Sequence, residues 1–140
     1  MINTILLIED DHFVSELYQR VLVKKGGFLV HTALDGEKGL RMAKTNPTLI
    51  LLDVMLPRMN GIDVLKKLKS DTSTQHIPVI LLTNLGQETV IHEALKIGAT
   101  DYLMKNRVPP YELVSYVKDF FKKSKKKKRN SLSQLLTQKR

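Results

Sequence analysis

Five short apolar runs recur along the chain, and each is followed by a longer segment with helical spacing. The runs cover residues 5–8, 28–33, 49–52, 79–82 and 102–104. Four of them are apolar or nearly so throughout, which is typical of parallel strands covered on both faces. The segments after them carry apolar residues three or four positions apart, as amphipathic helices do. The pattern therefore predicts five strand–helix units in a doubly wound α/β domain.

The residues at the expected helix ends agree with this organisation. Asn60 can cap the third helix, Gly98 lies just past the fourth, and Pro109 and Pro110 suit the first turn of the fifth. In the first helix, the predicted apolar stripe consists of Phe13, Leu17, Val21 and Leu22.

Polar residues follow four of the five predicted strands. They are Glu9, Asp10 and Asp11 after the first strand, Asp53 after the third, Thr83 and Asn84 after the fourth, and Lys105 after the fifth. Because the carboxyl ends of parallel strands meet at one edge of the sheet, we expect these side chains to lie close together.

Several carboxylates at one sheet edge repel each other, and either raised pKa values or a bound hard cation relieves the repulsion. Mg²⁺ suits a site made only of oxygen ligands and leaves room for a phosphate group. A lysine and a hydroxyl nearby would stabilise the charge of a phosphoryl group during its transfer. These residue types therefore favour phosphoryl transfer to a carboxylate.

Four segments together resemble the receiver domain of bacterial two-component response regulators. They are residues 5–11 (ILLIEDD), 51–61 (LLDVMLPRMNG), 81–83 (LLT) and 98–105 (GATDYLMK). The resemblance extends over about residues 3–121. It implies a flavodoxin-like (βα)5 sandwich with a five-stranded parallel sheet in the order 2-1-3-4-5. The implied function is phosphorelay signal transduction.

The resemblance also implies a role for each site residue. Asp53 resembles the phospho-acceptor of the family. Thr83 and Lys105 resemble the residues that contact the phosphoryl group. Thr83 and Tyr102 resemble the switch residues. The implied Mg²⁺ ligands are Glu9, Asp10, Asp53 and the backbone carbonyl of Met55. On the residues alone, Asp10 with Asp11 remains an alternative acidic pair, because Asp11 can also cap the first helix.

Partners and location follow from the same resemblance. The donor would be a sensor histidine kinase or a histidine phosphotransfer protein. A downstream protein would bind the face made by the fourth helix, fifth strand and fifth helix, and a homodimer could use the same face. Any enzymatic activity would be limited to self-phosphorylation from a donor and self-dephosphorylation. The absence of cysteine fits a reducing compartment, and we expect a cytoplasmic protein.

One departure from the family pattern concerns the residue after Lys105. The family usually has proline there, often joined by a cis bond, whereas this chain has Asn106. A cis bond before a residue other than proline costs roughly 2.5–4 kcal/mol. We therefore expect either a trans bond or backbone strain at this position.

The charge is unevenly distributed between the expected domain, residues 1–121, and residues 122–140. The net charge is +9, and residues 122–140 contain nine lysines and arginines and no acidic residue, so the domain itself is formally neutral. This basic tail is expected to be either a continuation of the last helix or disordered. An attraction to nucleic acid or to an anionic membrane is the less favoured alternative.

Two other functions remain open from the sequence. One is a protein that binds nucleic acid or a membrane surface through its tail alone. The other is a phosphatase with an aspartyl nucleophile. Such sites usually carry a second acid two residues after the nucleophile, and this chain has Met55 there, which counts against a phosphatase. With no output domain in view, we expect a single-domain regulator.

Overall fold

The computed structural model of the protein describes residues 2–84 and 88–138. In chain order, its elements are β1 (Thr4–Ile8), α1 (His12–Lys24), β2 (Leu29–Ala33), α2 (Gly36–Ala43), β3 (Leu49–Asp53), α3 (Gly61–Ser70), β4 (Val79–Thr83), α4 (Glu88–Ile97), β5 (Asp101–Met104) and α5 (Pro110–Gln138). The predicted alternation of strands and helices is confirmed.

The five strands form one parallel sheet in the order β2-β1-β3-β4-β5, as the flavodoxin-like fold requires. In this register Ile8 lies opposite Leu52, and Asp53 lies opposite Leu82. The carboxyl ends of β1, β3 and β4 are therefore level with one another. The residues that follow them emerge at one edge of the sheet.

Both faces of the sheet are covered, which explains the continuous apolar runs. Alternate strand residues such as Leu6 and Ile50 pack against α2, α3 and α4. The residues between them, such as Leu7 and Leu51, pack against α1 and α5. All residues of β3 and β4 are buried, so a polar residue at the end of either strand is held by a rigid core.

The predicted apolar stripe of α1 is wrong in one respect. Ser15, Tyr18 and Leu22 are the buried residues of this helix, whereas Phe13 is 77% exposed. Phe13 precedes Leu22 by about two and a half helical turns, so the two side chains lie on opposite sides of α1. Apolar residues at helical spacing can therefore belong to two different sides of one helix.

Helix α5 is much longer than the part that packs on the sheet. Leu113, Val114 and Val117 are buried, and Phe121 contacts Phe28 with ring centroids 5.5 Å apart. Beyond Phe121 the helix continues through Gln138, and the side chains of residues 122–136 are mostly exposed, while Lys139 and Arg140 lie outside the described residues. None of the helices in the described part of the chain is both long enough and apolar enough to cross a membrane.

Candidate functional site

The carboxyl edge of the sheet brings together the polar residues that follow the strands. Glu9 directly follows β1, Asp53 ends β3, Thr83 ends β4 and Lys105 directly follows β5. The backbone fixes this arrangement, because the amide of Glu9 donates to Ala33 and the amide of Lys105 donates to the Thr83 carbonyl at 2.9 Å. The site is therefore an extension of the sheet's own hydrogen bonding.

Lys105 connects the two buried carboxylates of the site. Its ammonium nitrogen lies 2.7 Å from Oε1 of Glu9 and 3.0 Å from Oδ2 of Asp53. The side chain of Glu9 has no exposed surface, and those of Asp53 and Lys105 are 3% and 16% exposed. Water therefore screens these contacts weakly, and the charges interact strongly.

The charges of this cluster do not balance. Two buried carboxylates share one ammonium, and Oε2 of Glu9 is a buried oxygen without a hydrogen-bond partner among the described residues. Burial raises the pKa of Glu9 to about 8, and the nearby Asp53 carboxylate adds to the effect. Burial alone would lower the pKa of Lys105, but the hydrogen bond to Glu9 and the charge of Asp53 outweigh it and raise that pKa.

A divalent cation would allow both buried carboxylates to be ionised together. Carboxylate oxygens of Glu9, Asp10 and Asp53 all lie within 4.8 Å of one another. Asp10 is exposed at the rim, while Glu9 is buried below it. Hard cations such as Mg²⁺ prefer oxygen ligands of this kind and retain several waters, which the exposed rim allows. The unpartnered oxygen of Glu9 is the feature that a cation would satisfy most directly.

Asp11 differs from Glu9, Asp10 and Asp53 because its carboxylate binds the amino end of α1. Its carboxylate caps α1 by accepting from the amides of Phe13 at 2.9 Å and Val14 at 3.1 Å. Of the two acidic pairs that the sequence left open, the geometry therefore groups Glu9 and Asp10 with Asp53.

The backbone around Asp53 is held by the start of α3. The Met55 amide donates to Oδ1 of Asp53 at 3.1 Å, and the Gly61 amide donates to the Val54 carbonyl at 2.9 Å. A Cβ atom added to Gly61 would lie 2.4 Å from the Asp53 carbonyl oxygen. Only glycine permits this close approach. This role of Gly61 was not predicted, although its place directly after the cap Asn60 is a signal in the sequence.

Thr83 ends β4, the strand next to β3, and Tyr102 lies on β5, the strand beyond it. Thr83 is buried, and its hydroxyl makes a long hydrogen bond of 3.5 Å to the Leu103 carbonyl. The Tyr102 ring is 39% exposed. There is no cis peptide bond in the described residues, so the Lys105–Asn106 bond is trans.

A second polar pair links β5 to α5 and was not predicted. The hydroxyl of Tyr116 donates to Oδ2 of Asp101, and the other oxygen of Asp101 accepts from the Tyr102 amide at 2.8 Å. Partial burial, together with the Asp101 carboxylate, raises the pKa of Tyr116. The pair fastens α5 to the end of the sheet next to Tyr102.

Comparison with known proteins agrees with this geometry. The family model for the response regulator receiver domain matches residues 5–118. The transcriptional regulatory protein CpxR of Escherichia coli K12 is 40% identical over 125 residues, which cover 87% of this chain and 50% of that protein. The master regulator RpaA of Synechocystis is 41% identical over 102 residues, which cover 72% of this chain and 42% of that protein.

Solved structures show the same architecture. A response regulator receiver domain protein from Clostridium thermocellum has a TM-score of 0.77 and 28% identity, and the match covers 89% of this chain and 98% of that one. The Francisella response regulator 1452 receiver domain has a TM-score of 0.75 and 29% identity, with 87% and 98% covered. The chain spans about half the length of the curated relatives it matches.

Proposed function

Since the chain belongs to the response regulator receiver family of two-component systems, whose general function is phosphorelay signalling, we propose that Asp53 is its phospho-acceptor. The observation that carries the proposal is the position of Lys105, whose ammonium contacts both Asp53 and Glu9 at the carboxyl edge of the sheet. An acid that ends a buried strand beside a lysine, a second acid and a hydroxyl has the groups that phosphoryl transfer needs.

The proposed reaction forms an aspartyl phosphate. An oxygen of the Asp53 carboxylate attacks the phosphorus of a phosphohistidine, a P–O bond forms, the P–N bond breaks and the imidazole leaves. The Met55 amide, which donates to Oδ1, holds the carboxylate in one orientation for this attack. Hydrolysis of the acyl phosphate later returns Asp53 to its carboxylate form.

Glu9, Asp10, Asp53 and the Met55 carbonyl are the proposed ligands of Mg²⁺. Bound there, the ion would supply positive charge against the carboxylates and the phosphoryl oxygens. Its fit rests on the unbalanced charge of the cluster and on the unpartnered oxygen of Glu9.

Lys105 and Thr83 are the proposed contacts to the phosphoryl group. The lysine side chain is long and flexible, so its ammonium can move from the carboxylates to a phosphoryl oxygen. Thr83 can rotate its hydroxyl away from the Leu103 carbonyl, because that hydrogen bond is long and therefore weak. Tyr102, on the neighbouring strand β5, is the proposed second switch residue.

The partners belong to the same proposal. A sensor histidine kinase or a histidine phosphotransfer protein supplies the phosphoryl group, and a downstream protein binds the face of α4, β5 and α5. A second copy of the chain is the alternative occupant of this face. The proposed location is the cytoplasm, as expected from the sequence.

Acetyl phosphate with Mg²⁺ tests the central step. Intact-mass measurement should show the gain of one phosphoryl group on the wild-type chain and none on Asp53→Asn. Omitting Mg²⁺ should also abolish the gain. An unmodified wild-type chain, or equal labelling of Asp53→Asn, would refute the assignment of Asp53.

A further inference from the structure

The strongest feature outside the site is the part of α5 that extends beyond the domain. Seven of the eight residues from 122 to 129 are lysine or arginine, and all seven are exposed. After Asp119 the chain has no acidic residue. Within the described residues, no salt bridge involves this segment. We propose that residues 122–129 of α5 bind the phosphate backbone of duplex DNA without sequence preference.

Helical geometry makes this segment a compact polycation. Like charges repeat at three-residue and four-residue intervals, as in Lys122 with Lys126 and Lys123 with Lys127, and such pairs repel along a helix. The phosphates of a duplex offer about one negative charge per 1.7 Å of axis, and their counterions are released when lysines replace them. A duplex therefore complements both the sign and the spacing of these charges.

The distribution of charge around the helix favours a groove over a flat surface. Successive residues turn by about 100°, so seven basic residues among eight cover every side of the helix. The major groove of B-DNA accommodates an α-helix and has phosphates on both of its walls. A bilayer touches only one side of a helix, and helices that bind one carry separate apolar and basic faces.

The chemistry of the side chains limits what the segment can recognise. Six of the seven are lysines, which bind phosphates as point charges and lack the planar fork with which arginine reads guanine. No aromatic residue occurs in residues 122–140, so the segment has no aromatic ring on which unpaired bases could stack. The deep and narrow major groove of duplex RNA excludes a helix. Among nucleic acids, double-stranded DNA bound independently of sequence therefore fits this segment best.

The position of the segment leaves the Asp53 site open. Ser124 and Lys128 line a cleft with Asn46 and His76, which belong to the loops that precede β3 and β4. The extension therefore leaves the domain at the amino edge of the sheet, opposite the edge that carries Asp53. The part beyond Phe121 is about 25 Å long at 1.5 Å per residue, and its seven basic residues are exposed although Ser124 and Lys128 border the domain loops.

The test compares the full chain with two variants of equal charge. In the tail variant, Lys122, Lys123, Lys126 and Lys127 become glutamine, which maintains helices well. In the control variant, four exposed lysines of the domain become glutamine instead: Lys24, Lys25, Lys38 and Lys67. Fluorescence anisotropy with a labelled duplex of roughly two helical turns measures Kd over about 50–200 mM salt. Circular dichroism checks that both variants keep their helix content.

The proposal expects a steep dependence of log Kd on log salt for the wild-type chain, with a slope of up to about 6. The tail variant should lose between about 3 and 4 units of that slope and bind at least about a hundredfold more weakly at the lowest salt. The control variant should keep most of the wild-type slope, and duplexes of different sequence should bind equally. Equal weakening of both variants would overturn the proposal, because net charge alone would then explain binding.

A second arm separates a duplex from a membrane. Leu132, Leu135 and Leu136 are 62%, 57% and 66% exposed and lie one turn beyond the basic residues. Changing all three to serine should leave duplex binding unchanged. Vesicles of equal parts phosphatidylcholine and phosphatidylglycerol are tested by sedimentation. At the same salt, the fraction of wild-type chain bound to vesicles should be smaller than the fraction bound to the duplex. Stronger vesicle binding that depends on these leucines would overturn the proposal in favour of a membrane surface.

Discussion

Gly61 offers the sharpest test of how the fold positions Asp53. A Cβ atom at this residue would meet the Asp53 carbonyl oxygen at 2.4 Å and the Val54 Cα at 2.7 Å. Ordinary contacts begin near 3.4 Å, so the overlap with the oxygen is about 1 Å. Both opposing atoms are backbone atoms, and they cannot rotate away as a side chain can.

Gly61→Ala must therefore move α3 and the end of β3 apart. Overpacking of this kind costs typically 1–3 kcal/mol, and the better helix propensity of alanine returns at most about 1 kcal/mol. We expect a net loss of roughly 2 kcal/mol in the free energy of unfolding, measured by urea denaturation. Because a shift of about 1 Å in a reacting group can cost two orders of magnitude in rate, phosphorylation of Asp53 by acetyl phosphate should slow at least about tenfold.

Gly27→Ala is the matched control. Gly27 has a φ of 71° and nothing within 4 Å of its hypothetical Cβ, and it lies before β2, away from Asp53. Alanine there should cost about 1–2 kcal/mol through left-handed backbone strain, with no change in the phosphorylation rate. This role of Gly61 is refuted if the free energy of unfolding of Gly61→Ala lies within about 0.5 kcal/mol of the wild-type value. It is also refuted if Gly61→Ala slows phosphorylation no more than Gly27→Ala does. In either case the close approach does not position Asp53.

Two further predictions concern single side chains. Asp11→Ala should lower the free energy of unfolding by about 1 kcal/mol, because the cap of α1 is lost. We expect Mg²⁺ to raise the Tm of the wild-type chain, Asp11→Ala to keep this rise, and Asp10→Ala to reduce it. An equal reduction of the rise in both variants would contradict the separate roles of the two acids. Tyr116→Phe should cost about 1 kcal/mol near neutral pH. A pKa raised in the folded state favours the protonated phenol, so wild-type stability from this group is present below the ordinary value of 10.0 and is lost above it. Tyr116→Phe has no phenol to titrate, so its free energy of unfolding should not show this loss. The difference in free energy of unfolding between the wild-type chain and Tyr116→Phe should therefore shrink above pH 10.0. A difference that stays constant would refute the role of the Tyr116 hydrogen bond to Asp101.

The strands and the edge that carries the site could be predicted because burial on both faces leaves a strong pattern. β3 and β4 contain no polar residue except the last, so Asp53 and Thr83 could only lie at the carboxyl edge. The buried side of α1 could not be predicted in this way, since Phe13 and Leu22 are both apolar and lie on opposite sides of the helix. In the structure the side with Leu22 is buried and Phe13 is 77% exposed.

The length of α5 illustrates a different limit. After Phe121 the segment has good helix formers and neither glycine nor proline, which favours a helix, but its repeated like charges oppose one. The two effects have similar size, so the sequence left both a helix and a disordered tail open. The helix through Gln138 starts from the packed residues Leu113 to Val117, which remove the cost of nucleation.

The contacts within the site depend on residues too distant in the chain for any local pattern. Lys105 and Glu9 are separated by 96 positions, yet their charged atoms lie 2.7 Å apart. Order along the chain could place both at the carboxyl edge, but it could not decide which acid would be buried. Glu9 lies inside because its carboxylate turns toward Lys105, whereas Asp10, one position later, points to the rim. Ionising both Glu9 and Asp53 would leave one negative charge that Lys105 does not compensate, so burial raises the pKa of Glu9, and a cation bound there would relieve the same repulsion.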